Sequence, residues 1–356
     1  MTAMKILRII PRIALVLTIL ATANAPLTNS FAQGTLAPPG APAPTMKTLQ
    51  QIEPRTPISS APVSILNSGS YYLTGNLDLS YGDAIFISAI NVTLDLNGFT
   101  IRSFDPTNGS VGIRIDTSPF VDFHDITILN GHIAGNVTTN GGVFVGSGFG
   151  YGIYSAGTPH NVRIAGVTVS GCLYDGINIG DGDSTTVESC TVRTVGGNGI
   201  EAMVVSRCEA LGCGLIGINA ISASDCVAIT IGSSYAFYVS AAHNCVGYSF
   251  TGTGLAANFA SNSGAGSSSG MGLSAFIANN CYGFSGGNQI GLYTYTANNC
   301  YGISSSGIGL VAHDIAFCCH GESTTGIGLN AYISNSSVGY GPTPYSISYK
   351  YNQPFP

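Results

Sequence analysis

The chain has 356 residues, of which 48 are glycine and none is tryptophan, and its 17 acidic and 11 basic side chains give a formal net charge of −6. With 45% hydrophobic residues it can build a large core, so wholesale disorder is excluded. A sparsely charged acidic protein lacks the basic surface that a phosphate backbone requires, which excludes nucleic acid as a partner.

The N-terminus has the pattern of an export signal. Three basic residues precede an apolar run at residues 13–21, which is too short to span a bilayer and typical of a signal-peptide core. Cleavage after Ala32 is expected, with an uncleaved anchor as the alternative. The sequence therefore predicts a signal peptide at residues 1–32 and a secreted, periplasmic or cell-surface protein. No later segment is long and apolar enough to cross a membrane.

The rest of the chain is predicted to be almost entirely β-structure. Residues 33–57 are rich in Pro and Ala and are typical of a linker. From Ile58 onward, short β-prone runs alternate with Gly, Asn, Asp and Ser. We expect a β domain over residues 58–340, including an N-terminal cap, and a C-terminal cap or tail over residues 341–356.

Two sequence markers repeat with the same period. One is a Gly-aliphatic pair at Gly176-Ile177, Gly199-Ile200, Gly217-Ile218, Gly254-Leu255, Gly272-Leu273, Gly291-Leu292, Gly309-Leu310 and Gly328-Leu329, with Ala236-Phe237 in the one gap. The other is a cysteine ladder at Cys172, Cys190, Cys208, Cys226, Cys245, Cys281, Cys300 and Cys318, with Ser263 and Ser337 at equivalent places. Periods near twenty indicate a solenoid whose repeats bury their apolar faces by stacking. The predicted fold is a single-stranded parallel β-helix with about 18–19 residues per coil in its C-terminal half.

Identical residues one period apart should form columns, because strands of successive coils lie about 4.8 Å apart. The cysteine ladder is then a column of small buried side chains. Disulfides are the alternative, with Cys213 and Cys319 the first candidates for oxidation, and a metal site is a weaker one. Asparagines just before the ladder, at 244, 262, 280 and 299, are expected to form a second column at a bend, in left-handed conformation.

The segments 69–77, 91–101 and 161–172 resemble the coils of exported bacterial right-handed parallel β-helix proteins of the broad pectin-lyase-like group. The resemblance extends over roughly residues 58–340 and implies a right-handed helix. A left-handed hexapeptide helix would also suit an 18-residue coil, but no sustained six-residue pattern occurs. The group contains polysaccharide lyases, glycoside hydrolases, adhesins and proteins without known activity, so the fold does not decide the function.

Charged residues crowd around an irregular acidic loop, Gly180-Asp181-Gly182-Asp183-Ser184, in the first ladder interval. The carboxylates of Asp181 and Asp183 are candidate calcium ligands. The candidate catalytic residues are Asp175, Asp181, Asp183, Arg193 and Arg207. A lyase of this group would use calcium and an arginine, and a hydrolase would use two carboxylates. A solvated Gly-Asp turn without function is the alternative.

Aromatic residues suggest a different role. Tyr282 and Tyr301 follow ladder cysteines, and Tyr293 and Tyr295 lie near Phe276 in the repeat. Exposed rings on a surface rich in Ser, Thr and Asn can stack on sugars, or they can pack between coils. The sequence favours a solenoid that binds a polysaccharide or cell-envelope glycan, or has a structural or adhesive role, without catalysis. The alternative is a polysaccharide lyase or glycoside hydrolase acting through Asp181 and Asp183.

Overall fold

The computed structural model describes residues 54–107, 109–116, 123–155, 157 and 159–352. The predicted signal peptide at 1–32 and residues 33–53 of the predicted linker lie outside the described residues. Among the described residues, strands extend from Thr56, within the predicted linker, to Tyr351, within the predicted cap or tail.

The described residues contain strands and no helix. The N-terminal part contains β1 (Thr56–Ile58), β2 (Val63–Ile65), β3 (Gly69–Leu73), β4 (Leu77–Leu79), β5 (Ile85–Ile87), β6 (Val92–Asp95), β7 (Thr100–Ser103), β8 (Ser110–Ile115), β9 (His124–Ala134), β10 (Thr138–Asn140), β11 (Val143–Val145), β12 (Phe149–Ser155), β13 (His160–Cys172), β14 (Ile177–Asn178), β15 (Thr186–Glu188) and β16 (Thr191–Val195). The C-terminal part contains β17 (Ile200–Ser206), β18 (Glu209–Cys213), β19 (Ile218–Ser224), β20 (Val227–Thr230), β21 (Phe237–His243), β22 (Val246–Ser249), β23 (Leu255–Ser261), β24 (Gly264–Ser267), β25 (Leu273–Asn279), β26 (Tyr282–Ser285), β27 (Leu292–Asn298), β28 (Tyr301–Ser304), β29 (Leu310–Phe317), β30 (His320–Ser323), β31 (Ile327–Asn335), β32 (Val338–Tyr340) and β33 (Thr343–Tyr351).

The strands stack as a parallel β-helix of about 15 turns, which confirms the predicted fold class. All of them except the antiparallel hairpin β10–β11 belong to one sheet of 31 strands. From β19 to β28 each coil contains one strand of seven residues and one of four, and each pairs with its equivalent in the next coil. Across the described residues, no helix of the length and hydropathy needed to cross a membrane is present.

The Gly-aliphatic pair places a side chain in the core beside a close backbone contact. Leu273 pairs in register with Leu255 and Leu292, and all three are fully buried. A Cβ on the preceding Gly272 would lie 2.4 Å from the carbonyl oxygen of Gly291, much closer than side-chain contacts allow. Glycine therefore recurs before the aliphatic residue because the next coil leaves no room there for a side chain.

The cysteine column caps a bend in each coil. The Cys245 amide donates to Ser263 Oγ at 3.2 Å, and the Cys190 amide lies 3.4 Å from Cys208 Sγ. Each thiol also lies within hydrogen-bonding distance of the carbonyl oxygen two residues earlier, as Cys226 does with Ser224 at 3.0 Å. Serine replaces cysteine in this column because both side chains are small and can donate and accept.

The prediction is wrong for two cysteines, Cys318 and Cys172, which do not lie in the column. Cys319 is buried in the column and its amide donates to Ser337 Oγ at 3.0 Å, whereas Cys318 is exposed. Strand β29 has a register irregularity between Ala312 and Ile315, which adds a residue and moves the column on by one. Cys172 pairs with Val195, which pairs with Cys213, so Cys172 belongs to a different column.

None of the ten cysteines forms a disulfide. The predicted order of susceptibility to oxidation is also wrong, because Cys213 and Cys319 are buried and Cys318 is exposed. Burial raises the pKa of Cys172 and of Cys213 to about 12, which keeps these thiols protonated.

Asparagines form the expected column at the bend before the cysteines. Asn244, Asn262, Asn280 and Asn299 all have left-handed backbones, with φ between 48° and 53°. The side-chain amide of Asn280 donates to Asn262 at 3.2 Å, and that of Asn299 donates to Asn280 at 2.8 Å. The column thus combines a tolerated left-handed backbone with side-chain bonds between coils.

We expect a thiol reagent to modify one cysteine per native chain and all ten after unfolding, since Cys318 is the one exposed thiol. Replacing Cys318 by Ser should abolish the fast reaction, and replacing the buried Cys319 by Ser should leave it. Mass spectrometry after short labelling measures both. Fast labelling of several native cysteines would contradict the buried column.

Replacing Asn280 by Ala should lower the free energy of unfolding by about 1–2 kcal/mol, because alanine in a left-handed backbone lacks the short polar side chain whose hydrogen bonds make this conformation tolerable for asparagine. Replacement by Gly should cost less, since glycine adopts this conformation freely although it loses the amide bonds. Urea unfolding followed by circular dichroism compares them. Equal losses for the two variants would contradict a role for the left-handed backbone.

Candidate functional site

A groove of about 380 Å³ runs across five coils on the outside of the β-helix. It is lined by residues of β17, β19, β21, β23 and β25, together with one residue of the acidic loop. Its lining comprises Asp181, Glu201, Ala202, Asn219, Ala220, Ile221, Tyr238, Val239, Ser240, Ala256, Ala257, Asn258 and Ser274.

The repeat itself produces the groove. The residue after each buried Gly-aliphatic pair points outward, and Glu201, Asn219 and Tyr238 lie next to one another in register. The following position carries small or β-branched side chains, as at Ala220 and Ala257, so the surface is low there. Polar and aromatic side chains therefore project from the surface beside a shallow strip of small residues, and this strip runs along the axis of the β-helix.

Glu201 lies at the acidic end of the groove within a set of side-chain amides. Its Oε2 accepts from Asn198 Nδ2 at 3.1 Å and from Asn178 Nδ2 at 3.3 Å. Burial raises the pKa of this carboxyl group, and the negative charges of Asp175 and Asp181 act in the same direction. The bonds from amides oppose the shift, so the groove holds a partly desolvated carboxyl group in a fixed orientation.

Asp175 supports this arrangement from one side. Its Oδ2 accepts from Asn178 Nδ2 at 2.8 Å, and its Oδ1 accepts from the Asn198 backbone amide at 2.8 Å. Both oxygens are thus engaged with the same two asparagines that contact Glu201. Asp175 is a positioning residue for these asparagines.

A buried threonine holds the acidic loop beside the groove. Thr185 Oγ1 accepts from the Met203 amide of β17 at 2.8 Å and lies 3.1 Å from the carbonyl oxygens of both Gly180 and Gly182. Gly180 has a φ of 67°, which suits glycine at the start of the loop. These contacts place Asp181 in the wall of the groove.

Of the five predicted site residues, Asp181 lines the groove, Asp175 supports it from outside the lining, and Asp183, Arg193 and Arg207 lie away from it. The Asp183 side chain is 89% exposed and its Oδ2 lies 3.9 Å from His160 Nδ1. Arg193 pairs with Glu209 at 3.2 Å, and Arg207 pairs with Glu188 at 2.7 Å. The structure therefore does not bring the three candidate aspartates and an arginine together in one groove, because the loop turns Asp183 away and neighbouring glutamates bind the two arginines.

A calcium site at Asp181 and Asp183 stays a prediction. Among the residues that the structure describes, no group of three or more His, Cys, Asp and Glu side chains is placed to hold a metal ion. The two loop aspartates alone supply fewer oxygen ligands than calcium requires. We assign no step to a metal.

Sequence reasoning missed the central residues of the groove. Glu201 stood out only as one of many nearby charges, and Asn178, Asn198 and Tyr238 were not singled out. Their position within the repeat could have identified them. One residue of this surface row follows each buried aliphatic or aromatic residue by one position, at Asn178, Glu201, Asn219 and Tyr238.

No protein-family profile matches the sequence, and no curated protein matches it. Among solved structures, the A-module of the mannuronan C-5 epimerase AlgE6 of Azotobacter vinelandii is similar, with 12% identity, a TM-score of 0.44, and coverage of 81% of this chain and 92% of that one. The A-module of AlgE4 from the same organism has 10% identity, a TM-score of 0.36, and coverage of 81% and 90%.

The enzymatically active domain of tailspike protein 2 of bacteriophage CBA120 has 13% identity and a TM-score of 0.22, with coverage of 80% of this chain and 44% of that one. At these identities and TM-scores, the similarity says nothing about the chemistry of this chain.

Replacing Glu201 by Gln should raise the free energy of unfolding at neutral pH, because the folded protein disfavours the charged form of this carboxyl group. Because the folded pKa of Glu201 is raised, stability falls as pH rises from the unfolded pKa through the folded one, and glutamine removes this loss. The gain should disappear below the unfolded pKa. Melting temperatures across a pH series measure it, with the exposed Glu209→Gln as control. A gain that does not change with pH would contradict the shift.

Proposed function

We propose that this protein is an exported β-helix that binds an extended glycan chain along the groove. The observation that carries the proposal is the row formed by Glu201, Asn219 and Tyr238, which projects beside a strip of small residues in three successive coils of the five that the groove crosses. Amide and carboxylate groups bond sugar hydroxyls, and the Tyr238 ring, which is 52% exposed, offers a face for a sugar ring.

The dimensions also suit a linear polymer. Four steps of about 4.8 Å separate Glu201 from Ser274, so the row is about 19 Å long. The lining of the groove mixes polar and apolar side chains. A chain lying along the helix axis would meet an equivalent position in every coil, which supports repeated weak contacts rather than one deep pocket.

Cleavage of the bound glycan is the second candidate function, and one observation favours it. Glu201 has a raised pKa and shares the groove with Asp181, and perturbed carboxyl groups in clefts are candidates for acid–base catalysis. A hydrolase or lyase of this kind would act through Glu201 and Asp181 rather than through Asp181 and Asp183.

Replacing Tyr238 by Ala should weaken binding of a polysaccharide roughly tenfold, because it removes a stacking surface from the middle of the groove. Affinity electrophoresis against a panel of neutral and acidic polysaccharides measures the change. Tyr282→Ala is the matched control, since Tyr282 is a partly exposed tyrosine on β26, away from the groove.

The same incubations distinguish binding from cleavage. Polymer lengths that stay constant by size exclusion support the binding function, and shortening that Glu201→Gln abolishes would establish the enzyme. No binding by the native protein, or equal losses for Tyr238→Ala and Tyr282→Ala, would contradict the groove as the glycan site.

A further inference from the structure

The face that forms the groove continues beyond it to the C-terminal end of the β-helix. The row that begins at Glu201 proceeds in register through Tyr293 on β27 and Asn330 on β31 to Ser346 on β33. A second cavity of about 360 Å³ lies on this part of the face. It is lined by Val311, Ala312, His313, Asn330, Ala331, Tyr332, Ser346, Ile347 and Ser348.

The two cavities use equivalent positions of the repeat. In β19 the groove is lined by three consecutive residues, Asn219 to Ile221, and in β31 the second cavity is lined by Asn330 to Tyr332. Both sets consist of an outward asparagine, a small alanine and an exposed large residue. The second cavity therefore repeats the groove six coils further along.

An aromatic cluster joins them, consisting of Phe276, Tyr293, Tyr295 and His313. The ring of Tyr295 lies 4.7 Å from that of Phe276, nearly parallel at 29°, and 4.9 Å from that of His313. Tyr293 meets Tyr295 edge to face at 6.3 Å. Phe276 is 52% exposed, so the cluster presents an aromatic surface between the two cavities.

Between Asn219 and Asn330 the face carries no Lys or Arg that would attract an acidic polymer, and Lys350, on the last strand, lies with its ammonium 4.6 Å from the centre of the Tyr345 ring. The sequence has no Lys or Arg between Arg207 and Lys350. The charged groups beside the face are Asp181 and Glu201 at one end and Asp314, which pairs with His313 at 2.9 Å, further along. Between Glu201 and Asn330 a uronate chain would meet carboxylates without a compensating Lys or Arg, whereas an uncharged chain would meet amides, hydroxyls and rings.

We infer that the ligand is an uncharged glycan chain that lies across the groove, the aromatic cluster and the second cavity together. This inference rests on the proposed function and names its substrate class. Eight steps of about 4.8 Å separate Glu201 from Ser346, so the continuous site is about 38 Å long. Tyr295 is the residue that couples its two halves.

The test is a titration of the purified full chain with neutral oligosaccharides of increasing length, followed by calorimetry. Affinity should rise by roughly tenfold once the chain reaches past the groove onto the aromatic cluster. Tyr295→Ala should abolish this rise with chain length, and Tyr295→Phe, which keeps an aromatic ring, should preserve it. Phe276→Ala, at a more exposed ring, provides a second variant if Tyr295→Ala lowers the melting temperature.

A uronate oligosaccharide of the longest length provides the charge comparison, at low and high salt. It should bind at least tenfold more weakly than the neutral one, and salt should leave neutral binding unchanged. Affinity that does not depend on length, or stronger binding of the uronate, would overturn the inference while short oligosaccharides still bind in the groove. Failure of every oligosaccharide to bind would instead overturn the proposed function.

Discussion

The parallel register between successive coils is the constraint on which the rest of this structure depends. Backbone amides of each coil donate to both neighbouring coils, as Leu273 does to Gly291 and Tyr282 does to Ser263, both at 2.9 Å, so each position of the coil is repeated about 4.8 Å further along the axis. As a result, core residues of successive coils stack on one another, glycines allow the backbones of successive coils to approach closely, and polar side chains at the bends form chains of hydrogen bonds. A surface row of polar and aromatic side chains arises in the same way, because its members are strand residues that lie in register and need no separate loop.

The fold could be predicted because its signals are periodic. The glycine pairs and the asparagine column report the register directly, and the structure has Asn280 bonded to both of its neighbours as the spacing indicated. The errors occurred where the period changes. Cys172 fits an 18-residue spacing to Cys190, but the acidic loop lengthens that coil and puts Cys172 opposite Val195. Cys318 and Cys319 both fit the period, and only the irregularity in β29 decides between them.

The candidate site was harder to predict because it depends on which side of a coil each residue faces. Asp175, Asp181 and Asp183 are charged residues close together in the sequence. One turn of the chain nevertheless makes their side chains point in different directions. Asp175 bonds two asparagines, Asp181 lines the groove, and Asp183 is exposed. Glu201 comes from the next coil, and its contact with Asn178 follows from strand pairing rather than from sequence proximity. The phase of the repeat, more than local charge, would have identified this row.

A glycan lying along the axis connects these observations, because a polymer with its own repeat is a natural ligand for a surface made of repeated coils. The most direct test of this account is a crystal structure of the protein with a neutral oligosaccharide. The account predicts sugar rings in the groove beside Asn219 and Tyr238, with the chain parallel to the helix axis. A chain bound on the sheet in which β18, β20, β22, β24, β26, β28, β30 and β32 stack, or one that crosses the coils at another angle, would contradict it.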